Sequence, residues 1–269
     1  MDLATIIGLI LGVVALVTAF VLEGGHLTSL LGLTAFMIVF GGTFGATIAS
    51  HSLDEAKRIP SLILRAFKAP SDSRRALIDE LVTLAEVARR DGLLALEDRV
   101  IDDPFLQRAV MLVIDGTDPE VTRSILERDI EAMEARHARG YGMFSTMGGF
   151  APTMGIIGTV MGLIHVLSNL SSPDELGPAI AVAFLATLYG VSSANLIWIP
   201  IGNKLKLRSE QEADERWLVV EGVMGLQAGD NPRVLREKLT AALPPTDRAA
   251  ASSSAVPAAA ARAMAEGGE

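Results

Sequence analysis

Thr153, Thr159, Thr187, Ser192, Ser193 and Asn195 are polar residues set inside two long apolar stretches, Met143–Leu170 and Gly177–Gly202. A hydroxyl or amide there can bond its own helix carbonyl about four residues back. It can instead offer an oxygen to a partly dehydrated cation. His165 is the sole ionisable side chain in the two stretches, either a proton relay or a solvated residue near the outer interface. Pro152 and Pro200 lie in the same stretches. A proline in such a helix frees a backbone carbonyl and permits a bend. The simpler readings are a helix start at Pro152, after Gly148–Gly149, and a terminal kink at Pro200. No Ser–His–Asp or paired-carboxylate arrangement can be proposed. The run Gly155–Thr159 lacks the lysine of a phosphate loop. No Asp, Glu, Lys or Arg lies at depth, so either the chain moves no ions or a partner supplies the key carboxylate; neither an enzyme nor a bound cofactor is expected.

The elements that carry these residues are defined by the placement of charge. Leu3–Leu22, Leu30–Ala49, Met143–Leu170 and Gly177–Gly202 contain no Asp, Glu, Lys or Arg. A helix rises ~1.5 Å per residue, so ~20 apolar residues cross a bilayer core. Core helices of soluble proteins usually carry charge on one edge. The expected fold is therefore all-α: a polytopic membrane protein with four transmembrane helices and a cytoplasmic helical domain between helices two and three. All 23 Lys and Arg residues fall in His51–Tyr141 and Asn203–Glu269. Cationic segments stay in the cytoplasm, which places both termini inside and the two short connections outside. The first run has no basic leader and no small-residue cleavage site, so a removed signal peptide is not expected.

Composition narrows the function further. The formal net charge is −9, which argues against nucleic acid as a partner. There is no cysteine, hence no thiol chemistry. The four histidines, His26, His51, His137 and His165, have no ligand spacing for a metal. Glycines crowd the third run at Gly148, Gly149, Gly155, Gly158 and Gly162, which predicts close backbone approach.

Five segments are expected. Residues 1–50 hold helices one and two. Residues 51–142 form the cytoplasmic domain, where Leu77, Leu81, Leu84 and Ala88 line one helix face, Gly92 ends that helix, and Asp103–Pro104 and Asp118–Pro119 open two more. Residues 143–203 hold helices three and four, 204–240 a C-terminal helix, and 241–269 a disordered Ala/Ser/Pro/Gly-rich tail.

Four stretches together resemble the flagellar motor stator family, MotA/PomA/MotP. They are APTMGIIGTVMGLIH (Ala151–His165), GPAIAVAFLATLYG (Gly177–Gly190) continuing to IPIGNKL (Ile199–Leu205), GGTFGA (Gly41–Ala46) and ARRDGLLALE (Ala88–Glu97). The likeness runs in order from residue 1 to about 240. It implies a ring, a pentamer, around a MotB/PomB-type peptidoglycan-binding subunit whose single membrane helix carries the cation-binding Asp. That agrees with the carboxylate missing from the four apolar runs. It implies that Na+ or H+ flow rotates the ring and turns the rotor through FliG, in the bacterial cytoplasmic (inner) membrane. Carried over by position, Pro152 and Pro200 are the coupling prolines, Thr159 and Thr187 lie on the ion path, and Arg89, Arg90 and Glu97 meet the rotor. Within the family a hydroxyl at Thr159 favours sodium over the proton. The alternative is the related ExbB/TolQ proton-channel energiser of envelope transport, which has three membrane helices.

Overall fold

A computed structural model describes residues 2–68, 74–168, 173–243 and 248. The regular structure of the described residues is helical, with no strand among them. Among the described residues, four helical runs are long and apolar enough to cross a membrane: Leu3–Leu22, Leu27–Ser50, and the membrane portions of Pro119–Ser168 and Leu176–Gln227.

The chain divides into two compact units, Met1–Pro70 with Glu134–Glu210, and Ser71–Met133 with Gln211–Glu269. Residues 51–68 and 134–142 thus cluster with the apolar runs rather than with the expected cytoplasmic domain.

In the first unit, α1 (Leu3–Leu22) is capped by Asp2, whose carboxylate accepts from Thr5 N–H at 3.3 Å. None of its residues is buried, as suits a helix whose outer surface meets lipid or another subunit. The second run begins with a 3-10 turn at Leu27–Leu30, continues as α2 (Leu33–Phe36), widens into a π-turn at Met37–Gly41 and goes on as α3 (Gly42–Ser50). Two short helices follow, α4 (Leu53–Ala56), opened by a reciprocal Ser52–Glu55 capping box, and α5 (Ile59–Ala66) with proline in its first turn. Neither was expected, because both are too short to show periodicity.

The second unit contains α6 (Arg74–Asp91) and α7 (Pro104–Ile114). Gly92 adopts φ +86°, which ends α6 where the sequence placed the stop. Asp103 caps α7 through a 2.7 Å bond from Leu106 N–H, a contact worth about 1 kcal/mol. Leu81, Leu106, Leu126, Ile130, Val220 and Leu235 form its sealed core.

Asp118 opens α8 (Pro119–Ser168), a single 50-residue helix that passes through Pro152. A helix start at Pro152 is therefore wrong. The proline removes one backbone bond, while Met143, Phe144, Met147 and Ala151 are fully sealed and hold the helix on that side. The fourth run is α9 (Pro173–Ser193), a π-turn at Ala194–Trp198 and α10 (Ile199–Gln227). The separate helix expected after Gly202 is continuous with this run. A short α11 (Pro232–Thr240), capped by Asn231, follows. The expected tail, 241–269, is described only at 241–243 and Arg248, and its start is corrected there, because Leu243 is buried in the core of the second unit.

Candidate functional site

The third and fourth runs meet along a seam of small residues. A methyl added at Gly155 would sit 2.8 Å from the Ala186 carbonyl, one at Gly158 2.7 Å from Ala186 Cβ, and one at Gly162 2.6 Å from Ala183 Cβ. From the other side, a methyl at Gly190 would sit 2.5 Å from the Ala151 carbonyl. Gly155, Gly158 and Gly162 recur at helical spacing on α8, and Ala183, Ala186 and Gly190 answer them on α9. Such contact is what lets membrane helices associate where the hydrophobic effect gives no net drive.

The seam brings Thr159 and Thr187 together, their hydroxyl oxygens 2.5 Å apart. Thr159 Oγ1 also reaches the Ala183 carbonyl at 2.9 Å and the Gly155 carbonyl at 3.1 Å. Thr187 Oγ1 lies 3.5 Å from the same Gly155 carbonyl. Each hydroxyl has one proton. The arrangement therefore concentrates four oxygens around two protons, and lone pairs outnumber donors. Thr159 is not confined to its own helix, since it bonds across the seam as well as to Gly155. Both side chains are half-buried.

Three other polar residues at depth bond within their own helix. Thr153 donates to Phe150 O, Ser193 to Gly190 O and Asn195 to Val191 O. His165 is exposed near the end of α8.

Pro200 lies just beyond the π-turn of the fourth run. It cannot bond the Leu196 carbonyl, and its ring would press on that carbonyl. A wider turn directly upstream moves the carbonyl aside. Gly148, four residues before Pro152, leaves space for Ile199, whose Cγ1 would lie 2.6 Å from an added methyl. The two prolines are thus near neighbours of one Gly148–Ile199 contact.

Arg89 and Arg90 occupy the last turn of α6, and Glu97 follows the short Leu93–Leu96 turn. All three are exposed. Arg90 forms an ion pair with Asp91 at 2.8 Å. The pairing raises the Arg90 pKa and holds the Asp91 carboxyl below its ordinary value. Arg89 is therefore the more available cation of the two.

Two anchors escaped sequence reasoning. Tyr189 accepts from Gly32 N–H at 3.1 Å and donates to the Leu30 carbonyl, tying α9 to the start of the second run. A lone tyrosine in an uncharged run was its only signal. Asp2 binds Lys204 and, at 2.9 Å, Arg208, while its N–H donates to Phe67 O at 3.0 Å. Lys204 is the leading cause holding the Asp2 carboxyl below its ordinary value. These contacts gather the start of the first run, the segment after the second and the end of the fourth at one end of the unit.

Apolar membrane-length helices joined by a hydroxyl-bearing seam define a polytopic α-helical membrane protein. Residues 97–217 match the model of the MotA/TolQ/ExbB proton channel family, and residues 6–92 match that of the motility protein A N-terminal region. Motility protein A of Bacillus subtilis (strain 168) is 39% identical over 254 residues, covering 92% of this chain and 93% of that protein. The chemotaxis protein PomA of Vibrio alginolyticus is 40% identical over 235 residues, covering 87% and 92%. The C. jejuni MotAB structure superposes with a TM-score of 0.87 at 33% identity, covering 91% of this chain and 97% of that one. The flagellar MotAB stator complex from Bacillus subtilis gives 0.85 at 39% identity, covering 90% and 96%. The chain belongs to the MotA/TolQ/ExbB proton channel family, on its flagellar stator side rather than the ExbB/TolQ side.

Proposed function

We propose that this chain is the ion-conducting subunit of a flagellar stator that works with a MotB-type partner. The partner's membrane helix supplies the carboxylate that binds the cation, because the four apolar runs have none. The MotAB relatives support such a partner and an oligomeric assembly. Five copies form a ring around two copies of the partner in the bacterial inner membrane. Both termini and residues 51–142 face the cytoplasm, in line with the placement of Lys and Arg.

The observation that carries this reading is the Thr159–Thr187 oxygen cluster on a seam too tight for any side chain larger than glycine at Gly155 and Gly190. Repeated around a ring, these oxygens replace part of the hydration shell of a cation on its way to the partner's carboxylate. The oxygen count favours sodium over the proton. Pro152 and Pro200 let the third and fourth runs bend as the ion leaves. Arg89, Arg90 and Glu97 pass the resulting rotation to FliG.

The test is swimming of a stator-less flagellated host that carries this chain and its partner. Motility should depend on external sodium and fall in Thr159→Ala. Unchanged swimming without sodium, still abolished by a protonophore, would make the cation a proton. Cation leak through the chain expressed without its partner would contradict the division of labour.

A further inference from the structure

The first helix, α1, and the fourth run touch at two levels and part between them. At one end Asp2, 8% exposed, pairs with Lys204 and, at 2.9 Å, with Arg208. Further along, a methyl added at Gly12 would lie 2.7 Å from Leu196 Cδ2. Between these two contacts a methyl at Gly8 would meet nothing within 4 Å. The gap is a groove of about 440 Å³, with Leu9, Leu196, Pro200 and Leu207 among its walls and Asn203 and Lys204 at its polar end. That volume falls in the range of small-ligand sites, ~300–1,000 Å³.

Length and charge describe the occupant. Asp2 to Gly12 is ~15 Å of helix, half of the ~30 Å hydrocarbon core. The groove therefore opens at the membrane interface and is closed near the midplane by the Gly12–Leu196 contact. A helix of a neighbouring protein is ~10 Å across and runs on through both leaflets, so it does not match a slot that stops halfway. A single acyl chain does. At the polar end one carboxylate faces two cations, which leaves a net positive charge. The Lys204 side chain is 21% exposed, and Asn203 is exposed beside it. Basic pockets between membrane helices on the cytoplasmic side favour anionic headgroups.

We propose that this groove binds one anionic phospholipid of the cytoplasmic leaflet, its acyl chain against Gly8, Leu9 and Pro200 and its phosphate at Asn203 and Lys204. The choice of leaflet rests on the stator reading, which puts both termini in the cytoplasm. The groove and its charge do not depend on that reading.

The complex with its partner is purified in detergent, and the phospholipid it retains is extracted and measured per chain. Wild type should retain phosphatidylglycerol in preference to phosphatidylethanolamine. Phosphatidylglycerol added to the delipidated complex should raise its unfolding midpoint, phosphatidylcholine should raise it less, and inorganic phosphate should leave it unchanged. Gly8→Leu puts a side chain into the groove. It should cut retention several-fold and abolish the rise, with the mass of the assembly unchanged. Lys204→Gln, in which Arg208 still pairs with Asp2, should keep a lipid but lose the preference for a negative headgroup. Ile10→Phe adds bulk to the opposite side of α1, at a residue 57% exposed, and should match wild type. Equal retention in wild type and Gly8→Leu would overturn the inference, as would a wild type indifferent to headgroup charge. A midpoint raised by inorganic phosphate alone would make the site one for a free anion and overturn it too. So would a Gly8→Leu complex that separates into smaller assemblies, since the groove would then be a contact between copies. A wild-type complex that retains the lipid yet turns no rotor would overturn the stator reading and leave the lipid site standing.

Discussion

Gly190→Ala probes the seam most sharply. The added methyl would lie 2.5 Å from the Ala151 carbonyl oxygen, where ordinary contact begins at 3.4 Å, and also 3.1 Å from Gly155 Cα. Both obstacles are backbone, so no rotamer change relieves them. The helices must part by about 0.9 Å at this point. The Thr159–Ala183 bond of 2.9 Å would then stretch to about 3.8 Å, beyond hydrogen-bonding range. Overpacking of this kind costs ~1–3 kcal/mol. For a chain of this size that is a midpoint loss of roughly 2–12 °C. The assay is thermal unfolding of the detergent-solubilised complex, together with motility. Gly8→Ala serves as the matched control, since its methyl meets nothing within 4 Å. The expected result is a less stable complex and lost motility for Gly190→Ala, with Gly8→Ala near wild type. A Gly190→Ala complex as stable and as motile as wild type would refute the close-seam argument.

Pro200→Ala restores a backbone donor for the Leu196 carbonyl and should close the π-turn, leaving assembly intact but lowering torque. Pro152→Ala should act the same way, and normal rotation of both variants in the absence of other stators would deny them a coupling role. Arg89→Glu or Glu97→Arg alone should reduce motility only in part, because exposed charge contacts contribute ~0.2–1 kcal/mol each. The double reversal should do more, with partial rescue by a charge-reversed FliG; undiminished swimming of the double variant would leave these residues as a solvated face. Asp2 has a folded pKa below its ordinary 3.8, so its pairing contributes fully above that value and is lost only as pH falls through the lowered one. Stability should therefore be insensitive to Asp2 titration near neutral pH. Asp2→Asn should loosen the start of α1 at every pH above ~4, detectable as faster amide exchange at Thr5.

The four apolar runs were legible because charge is excluded from each, and one misplaced Lys or Glu would have broken the pattern. Gly92 and Asp103–Pro104 were legible because positive φ and capping have strong residue preferences. What escaped notice depends on contacts distant in sequence. The π-turn before Pro200 has a local cause, but Met37–Gly41 contains no proline to announce its turn. The continuity of α8 through Pro152 depends on packing at Met143, Phe144, Met147 and Ala151. The pairing of Thr159 with Thr187 requires the register of two helices 28 residues apart, which the glycine spacing suggested without fixing. The Asp2 cluster joins residues 206 positions apart and left no local trace.

The most direct test of the stator account is the rotation speed of a tethered flagellated cell that lacks its own stators, followed while this chain and its partner are induced together. The account predicts that rotation resumes in discrete upward steps, one per complex recruited, and that neither protein alone starts it. A cell that stays still with both proteins assembled in its membrane would contradict it.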